Sequence, residues 1–320
     1  MVYEFFFTGG LDSTYRLCQL AREEGNVVQP VYIVFDDKGG RYNRPELRRE
    51  LEAQDKILGY VSANPNTKAE ILPIRRISWD KIPYDKQIMD SEEALSGYNF
   101  AWQYIFIALY AKWHPGVELC QETLSDSLGI KFREADGRRW IDTTDLDGTL
   151  VLAFQNVTWP IMDTPRPVMR ERINGWGYDG VWEHLWFCYK SVNGKPCGVC
   201  DNCYRKIMQG MTFLFDKEAL HRYRVLKALE KNFSESTNQL YVYYVCAEDK
   251  DRFLRDYRVD IRTYDYVLKR VNLFRSLEKM SNKQLLQIEK DGRVQSGYFS
   301  ADGYYFAKRK GVRKSGGTKR

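Results

Sequence analysis

The first third of the 320-residue chain alternates short apolar runs with segments that repeat apolar residues every three or four positions. Runs of the first kind predict buried strands, and segments of the second kind predict amphipathic helices. Strands are expected at residues 2–7, 28–35 and 68–74, with helices at residues 13–24, 45–59 and 99–112. This alternation favours a parallel sheet covered by helices on both faces, so the sequence predicts an α/β fold of the Rossmann-like type.

Glycine and proline set the expected limits of these elements. Pro45 stands in the first turn of the second helix, and Gly59 is expected to end it. Residues 159–170 contain three prolines and are expected to be extended or looped. Residues 120–149 are charged and irregular, and no element is assigned to them.

Composition excludes several classes of protein. The chain is 43% hydrophobic and 29% charged, which is typical of a globular protein rather than a disordered or fibrous one. Its longest apolar runs fall well short of the roughly 18–20 residues that cross a bilayer. The first residues, MVYEFFFTGG, lack the basic segment of a signal peptide. We therefore expect no membrane association and a cytoplasmic location.

The two ends of the chain carry opposite charge. Residues 211–320 hold 24 Lys and Arg against 14 Asp and Glu, a net charge of +10, whereas residues 1–210 carry a net charge of −4. This difference predicts two parts with different partners, a first domain over 1–210 and a basic extension over 211–320. Helices are expected at 217–231 and 264–279, and a β-hairpin within VQSGYFSADGYYFAK, so the extension is predicted to be mainly helical.

The last 13 residues, KRKGVRKSGGTKR, carry seven basic groups and no acidic one. Such a tail is expected to be flexible and can contact a nucleic acid through its phosphates. A tail that only keeps the protein soluble explains the same composition equally well. For the rest of the extension, a surface that forms a homodimer is the alternative interpretation.

Four of the seven cysteines fall within sixteen residues: Cys188, Cys197, Cys200 and Cys203. An oxidised secreted framework would instead spread even pairs along a shorter chain. Four thiolates at this spacing are typical of a closed tetrahedral zinc site that leaves no coordination position for water. The sequence therefore predicts a structural zinc knuckle. Nucleophilic or redox chemistry of these cysteines is the alternative.

The segment TGGLDST, residues 8–14, lies between the first predicted strand and the first predicted helix. Backbone N–H groups at such a junction, together with the helix dipole, favour binding of a phosphate. Gly9 and Gly10 let the backbone approach it, and Thr8, Ser13 and Thr14 add hydroxyl donors. Asp12 is expected to orient the loop or to help hold Mg²⁺. A simple turn followed by a helix cap is the alternative.

The loop resembles the SGGxDS signature of the PP-loop ATP pyrophosphatases, with Thr8 in place of the first serine. The run FCYKSVNGKPCGVCDNCYRK resembles the zinc segment of one PP-loop family, the 7-cyano-7-deazaguanine synthases. Weaker similarities are Phe35-Asp36, Gly97-Tyr98-Asn99 and Arg166. Together these resemblances cover about residues 2–207.

The resemblance implies a PP-loop fold and a carbon–nitrogen ligase that uses ATP and Mg²⁺. Such an enzyme converts 7-carboxy-7-deazaguanine and ammonia to 7-cyano-7-deazaguanine through an adenylated intermediate, for queuosine-type biosynthesis or nucleic-acid modification. The implied catalytic residues are Asp12, Ser13 and Arg166. The implied nucleotide-binding residues are Thr8, Gly9, Gly10, Leu11, Asp12, Ser13, Thr14, Phe35, Asp36 and Asn99.

One departure leaves the substrate open. The family carries a Tyr-Pro-Asp-Cys segment near its substrate, and the corresponding region here reads CQETLSDSLGIKFRE. A PP-loop enzyme that adenylates another substrate, by conjugation to a protein or modification of RNA, is the first alternative. A non-catalytic zinc-containing nucleic-acid binder is the second, and an intact loop at residues 8–14 argues against it.

Overall fold

The computed structural model describes residues 1–36, 41–44, 46–97, 100–121, 130–189, 191–198, 200–220, 223, 297–299 and 305–307. Asn99, the basic tail, the helix expected at 264–279 and most of the one expected at 217–231 lie outside the described residues. The chain forms two compact units, Met1–Phe187 and Cys188–Arg320. The sequence-based division at residue 210 stays a prediction.

The first unit is built on one eight-stranded sheet. Its strands are β1 Val2–Phe6, β2 Val27–Val34, β3 Glu70–Ile71, β4 Arg75–Ser78, β5 Val117–Glu118, β6 Phe132–Ala135, β7 Arg138–Ile141 and β8 Val157–Thr158. The order across the sheet is β3-β2-β1-β5-β8-β7-β6, and β4 pairs with β2 beyond β3. Pairing is parallel from β3 and β4 through to β8, whereas β7 runs antiparallel to both of its neighbours. The structure therefore confirms an α/β fold with a mostly parallel sheet.

Seven α-helices are described in the first unit: α1 Leu11–Ala21, α2 Leu47–Ala63, α3 Lys86–Asp90, α4 Glu92–Gly97, α5 Gln103–Trp113, α6 Gly148–Phe154 and α7 Arg166–Gly175. Short 3-10 helices cover Trp79–Lys81 and Asp179–Glu183. Helix α1 contacts α2 and α7, whereas α5 contacts α3 and α6. Two such groups of helices are what a parallel sheet needs to bury both of its faces.

The central elements are buried because their sequences are apolar on every side. In β1, the neighbouring residues Phe5 and Phe6, which point to opposite faces, are both buried, as expected for a strand in the middle of a covered sheet. Helix α5 buries seven consecutive residues, 105–111, which is typical of a helix packed within a core. The core of the first unit continues from these elements to Phe154 and Trp159.

The described part of the second unit contains helix α8 Asp201–Met208 and a 3-10 helix at Thr212–Leu214. Residues 217–220 are helical, in agreement with the start of the helix expected there. Strands β9 Gly297–Phe299 and β10 Tyr305–Ala307 pair antiparallel, which confirms the predicted hairpin. Among the residues that the structure describes, no helix has both the length and the apolar character that a membrane crossing needs.

The three helices expected in the first third of the chain have limits that differ from the prediction, and the last of them, α5, begins at Gln103 rather than at residue 99. Helix α1 begins at Leu11 rather than at residue 13, and α2 continues four residues past Gly59, to Ala63. Val61 is fully buried on α2, which packs against α1 and the 3-10 helix at Asp179–Glu183, so tertiary packing continues the helix through the glycine. Of the strand expected at 68–74, only Glu70–Ile71 forms a strand, β3. β4 follows as a separate strand, and both pair with β2.

The two regions judged irregular contain further elements. The hairpin β6–β7 turns at Asp136 and Gly137, whose φ values of 53° and 68° define the two-residue turn that Asp-Gly favours. Helix α7 begins at Arg166, inside the proline-rich stretch. This is compatible with its sequence because Pro165 is the cap and Pro167 stands in the first turn, where no intrahelical N–H bond is lost.

Candidate active site and metal centre

The loop of residues 8–14 lies at the carboxyl end of β1, where the order of the sheet reverses. From β1 the chain passes through α1 to β2 on one side, while β5 pairs with β1 on the other side. Neighbouring crossovers that leave in opposite directions open a crevice at this edge of a parallel sheet, and ligands of open α/β sheets bind there. The topology therefore gives this loop a position suited to binding a ligand.

Hydrogen bonds between its own residues hold the loop in shape. The Thr8 N–H donates to Ser13 Oγ at 3.3 Å, and the Gly10 N–H donates to Thr8 Oγ1 at 3.3 Å. Gly9 has a φ of 71°, a conformation that side chains disfavour, and its carbonyl accepts from the Trp186 N–H at 3.2 Å. The predicted hydroxyl residues therefore order the loop themselves, in addition to any contact with a ligand.

The start of helix α1 offers N–H groups to a ligand. Gly10 is the N-cap and supplies no side-chain acceptor to the first turn, whose N–H groups have no intrahelical partners. Thr14 Oγ1 and Gln54 Nε2 are buried beside this loop, and neither has a hydrogen-bond partner among the described residues. A bound ligand or ordered water can satisfy both, because buried polar atoms are rarely left unpaired.

Asp12 and Arg166 meet beside the loop. Arg166 Nε lies 3.4 Å from Asp12 Oδ1, and each side chain is about one-fifth exposed. The predicted catalytic residues Asp12, Ser13 and Arg166 thus occupy one place, brought together by the starts of α1 and α7. Asp12 can contribute one carboxylate to Mg²⁺, an ion that often takes one or two protein carboxylates with its remaining ligands from phosphates and water.

The predicted nucleotide-binding residues beyond β2 are placed differently. Phe35 is 4% exposed, and its ring packs edge-on against Trp102 and Phe106, so the side chain belongs to the core. Asp36 is exposed and forms a backbone bridge with Asn43. Asn99 lies outside the described residues. Phe35 and Asp36 follow β2, at the same edge of the sheet as the loop, so their backbone is suitably placed even though the Phe35 side chain is not.

The sequence analysis missed a set of groups on α5 and just after β5. Tyr104 on α5 contacts the Gln121 side chain, and burial, with a smaller contribution from the Asp12 carboxylate, raises the pKa of Tyr104 to about 12. Burial and then the Glu118 carboxylate raise the pKa of the Cys120 thiol. Both groups are therefore neutral at physiological pH and are near enough to Asp12 to interact with its charge.

Arg16 and Glu118 form a buried ion pair next to this crevice. Arg16 Nε and Nη2 donate to the two Glu118 oxygens at 2.8 and 2.6 Å. A paired geometry of this kind fixes the orientation of both side chains. The sequence signal was available, because Glu118 is the one acidic residue in the otherwise apolar run GVELC.

The four clustered cysteines form a candidate metal centre in the second unit. Their Sγ atoms all lie within 4.8 Å of one another, and all four side chains are buried. The Cys188–Cys200 and Cys197–Cys203 sulfur distances are 3.9 and 3.8 Å. A tetrahedron with Zn–S bonds of about 2.3 Å has sulfur atoms about 3.8 Å apart. The residues therefore fit a zinc ion.

Backbone groups support the same arrangement. The Cys197 N–H donates to Cys188 Sγ at 3.3 Å, and the Cys200 N–H donates to Cys197 Sγ at 3.2 Å. Donors of this kind stabilise thiolates around a metal. Gly198 has a φ of 81°, and a Cβ there would lie 2.1 Å from the Ala219 carbonyl oxygen. Gly198 therefore forms the tight turn between the second and third cysteines, and this turn packs against the helical residues 217–220.

Comparison with known proteins supports a local similarity. No protein-family model matches the chain. The 7-cyano-7-deazaguanine synthase of Chlorobium luteolum is 39% identical over 54 residues, a stretch that spans 16% of this chain and 23% of that protein. The match thus covers less than a quarter of the relative's length.

Proposed function

We propose that the chain is an ATP-dependent carbon–nitrogen ligase of the PP-loop type. The observation that carries the proposal is the loop of residues 8–14, which presents glycines, hydroxyls and the start of α1 at the sheet reversal, beside Asp12 and Arg166. The local identity to a 7-cyano-7-deazaguanine synthase supports it. In the proposed reaction, ATP adenylates the carboxylate of 7-carboxy-7-deazaguanine with loss of pyrophosphate, and ammonia displaces AMP to give the amide. A second ATP then adenylates the amide oxygen, which leaves as part of AMP to give 7-cyano-7-deazaguanine.

In this proposal the loop binds the phosphates of ATP, with Thr8, Gly9, Gly10, Leu11, Asp12, Ser13 and Thr14 as the nucleotide-binding residues. Phe35, Asp36 and Asn99 complete that set. Pyrophosphate leaves when the substrate carboxylate attacks the α-phosphate, so the developing charge lies on the β- and γ-phosphates. Backbone N–H groups and Arg166 are the groups that oppose this charge. Mg²⁺, held in part by Asp12, supplies further positive charge when it is bound.

Zinc has a structural part in the proposal. Cys188, Cys197, Cys200 and Cys203 are buried and supply all four ligands of a tetrahedral ion, so no position remains for substrate. Reduced thiolates are compatible with the proposed cytoplasmic location, where ATP is also supplied.

A mass-spectrometric assay tests the proposed reaction directly. Purified full-length protein is incubated with ATP, isotopically labelled ammonium and 7-carboxy-7-deazaguanine. The expected result is a labelled nitrile together with AMP and pyrophosphate, and a reaction without ATP is the control. Release of AMP only with a protein or RNA substrate would favour another PP-loop enzyme instead. Absence of any ATP turnover in metal-loaded protein would contradict the proposal.

We also propose that the basic extension contacts nucleic acid, because residues 211–320 hold the positive excess of the chain. Each phosphate contact releases counterions, so binding should weaken steeply as salt rises. A mobility-shift titration with tRNA and duplex DNA, with and without residues 308–320, measures this. No shift with either nucleic acid at low salt would leave the extension as a structural or homodimer-forming part, whereas binding that is unchanged by the truncation would assign the contact to residues other than the tail.

A further inference from the structure

Helix α1 carries two ion pairs, one turn apart, that differ sharply in geometry. Arg16 donates two short hydrogen bonds to Glu118, at 2.6 and 2.8 Å. The Arg16 side chain is 11% exposed and the Glu118 side chain 4%. Asp12 has a single contact to Arg166, at 3.4 Å, with both side chains about one-fifth exposed. The first pair is a fixed part of the core, whereas the second is loosely made and accessible.

We propose that Arg166 pairs with Asp12 in the ligand-free protein. When a polyphosphate binds at the loop, the Arg166 guanidinium leaves Asp12 and pairs with the phosphate instead. The inference deepens the proposed function, since it rests on phosphate binding by the same loop. It assigns Arg166 the direct contact with phosphate, and it makes Asp12 a positioning residue in the ligand-free protein.

The backbone of Arg166 is well anchored, so the exchange needs only side-chain rotation. Arg166 is the first residue of α7 and stands between two prolines that restrict the chain. Along the same helix, Arg172 Nη1 donates to the Tyr15 hydroxyl at 2.8 Å. The Tyr15 ring stacks on Trp176 with a centroid distance of 5.4 Å. These contacts fasten α7 to α1, and a long guanidinium side chain at its start can still change partner.

Charge explains why the exchange should follow binding. In the ligand-free protein, the start of α1 and Arg166 together stabilise the Asp12 carboxylate. A polyphosphate at the same helix end carries several negative charges, so it competes for Arg166 more strongly than one carboxylate does. Arg166 is the one ion-pair partner of Asp12 within the described residues. Tyr104 and Cys120 also interact with the Asp12 charge, but both are neutral, so neither can take the place of Arg166.

Binding of inorganic tripolyphosphate without added divalent cation tests the exchange separately from catalysis. Calorimetry on the full-length protein compares the wild type with D12N, R166Q and the double variant. The Asp12 carboxylate repels phosphate whether or not Arg166 is present. The informative comparison is therefore the effect of D12N on affinity in the wild type against its effect in R166Q. We expect D12N to strengthen binding by about fivefold or more when Arg166 is present, and by at most about twofold in R166Q, a coupling that is usual for contacting charges.

R170Q is the matched control, because it removes the same charge one turn further along α7. Arg170 is exposed and is not next to Asp12, so its loss should weaken tripolyphosphate binding clearly less than R166Q does, and D12N should strengthen binding in the R170Q background as much as in the wild type. Equal effects of D12N in the wild type and in R166Q, or weaker binding by D12N, would overturn the exchange. No binding by the wild type would overturn phosphate binding itself. Coupling as expected without nitrile formation would leave the exchange standing and refute the proposed reaction.

Discussion

The loop of residues 8–14 and the cysteine cluster both depend on a glycine with positive φ, but the surroundings of the two glycines differ. A Cβ on Gly9 would lie 3.3 Å from Gln54 Cγ, the middle of a flexible side chain. A Cβ on Gly198 would lie 2.1 Å from the Ala219 carbonyl oxygen, which belongs to the backbone. The first position can adjust by a few tenths of an ångström, whereas the second cannot.

Their polar groups differ in the same way. The loop is held by hydrogen bonds near 3.3 Å, and its charged pair is partly exposed. The cysteine sulfurs are fully enclosed and close enough to share one ion. A site that exchanges ligands needs groups that can change partner, whereas a permanent ion needs ligands that cannot move. This contrast supports an active site at the loop and a structural metal at the cysteines.

The largest effect is expected from Cys200→Ser, which removes one of four metal ligands. Binding of a structural zinc ion contributes directly to folding. Metal content should fall from about one ion per chain to below about 0.2, with aggregation or early unfolding on heating. Elemental analysis of protein purified without chelators gives the measurement. Cys120→Ser is the control, because it removes a thiol outside the cluster, and this variant should keep about one metal ion per chain. A Cys200→Ser protein with full metal content would refute the site.

Gly10→Val tests whether the loop binds phosphate through its backbone. Gly10 has an ordinary φ of −82°, and a Cβ there would meet Thr8 Oγ1 at 3.3 Å, the end of a side chain that can shift slightly. Valine should therefore cost about 1 kcal/mol of folding free energy, mainly as a poor helix cap. Its branched side chain would block approach to the backbone, and ATP-dependent turnover should fall about 100-fold or more. Metal content should not change.

Gly148→Val is the control for that substitution, because Gly148 begins α6 and no atom lies within 4 Å of the Cβ it would carry. Turnover in the control should remain near that of the wild type. Undiminished turnover in Gly10→Val would show that the loop is an ordinary turn before a helix.

Gly198 and Gly210 provide a matched pair for the metal centre. Their φ values are 81° and 80°, so alanine imposes the same backbone strain at both, but no atom lies within 4 Å of a Cβ on Gly210. Gly210→Ala should cost about 1 kcal/mol of unfolding free energy, and Gly198→Ala about 3 kcal/mol or more with loss of metal. Chemical denaturation and elemental analysis measure both quantities. Equal costs would mean that the contact with Ala219 adds nothing.

The smallest effect is expected from Gly59→Ala, at an exposed position inside α2 with no neighbouring atom within 4 Å. Alanine restricts the unfolded chain and suits the helix, so stability should rise by about 0.5–1 kcal/mol while ATP turnover and metal content stay unchanged. A loss of stability in thermal or denaturant unfolding would show that the helix needs glycine there for a reason other than backbone conformation.

The sequence predicted those elements in which local pattern and burial agree. The run before Thr8 became β1, and the apolar segment before Lys112 became α5. The hairpin β6–β7 was missed because its strands are charged and partly exposed, although Asp136-Gly137 marked its turn. Helix α7 was missed because prolines were taken to exclude helix throughout, when they exclude it only beyond the first turn.

The sequence by itself determined the two motifs whose residues are close together along the chain. Residues 8–14 and the four cysteines are close in sequence, so turn geometry and ligand spacing were enough to recognise both. Only the tertiary structure decided which distant groups join them. The resemblance implied Arg166 as a catalytic residue, but its contact with Asp12, like that of Arg16 with Glu118, exists because the parallel sheet brings the carboxyl ends of β1 and β5 and the start of α7 together. Such contacts depend on strand order, which is set by the packing of the whole core and leaves no periodic signal in the sequence.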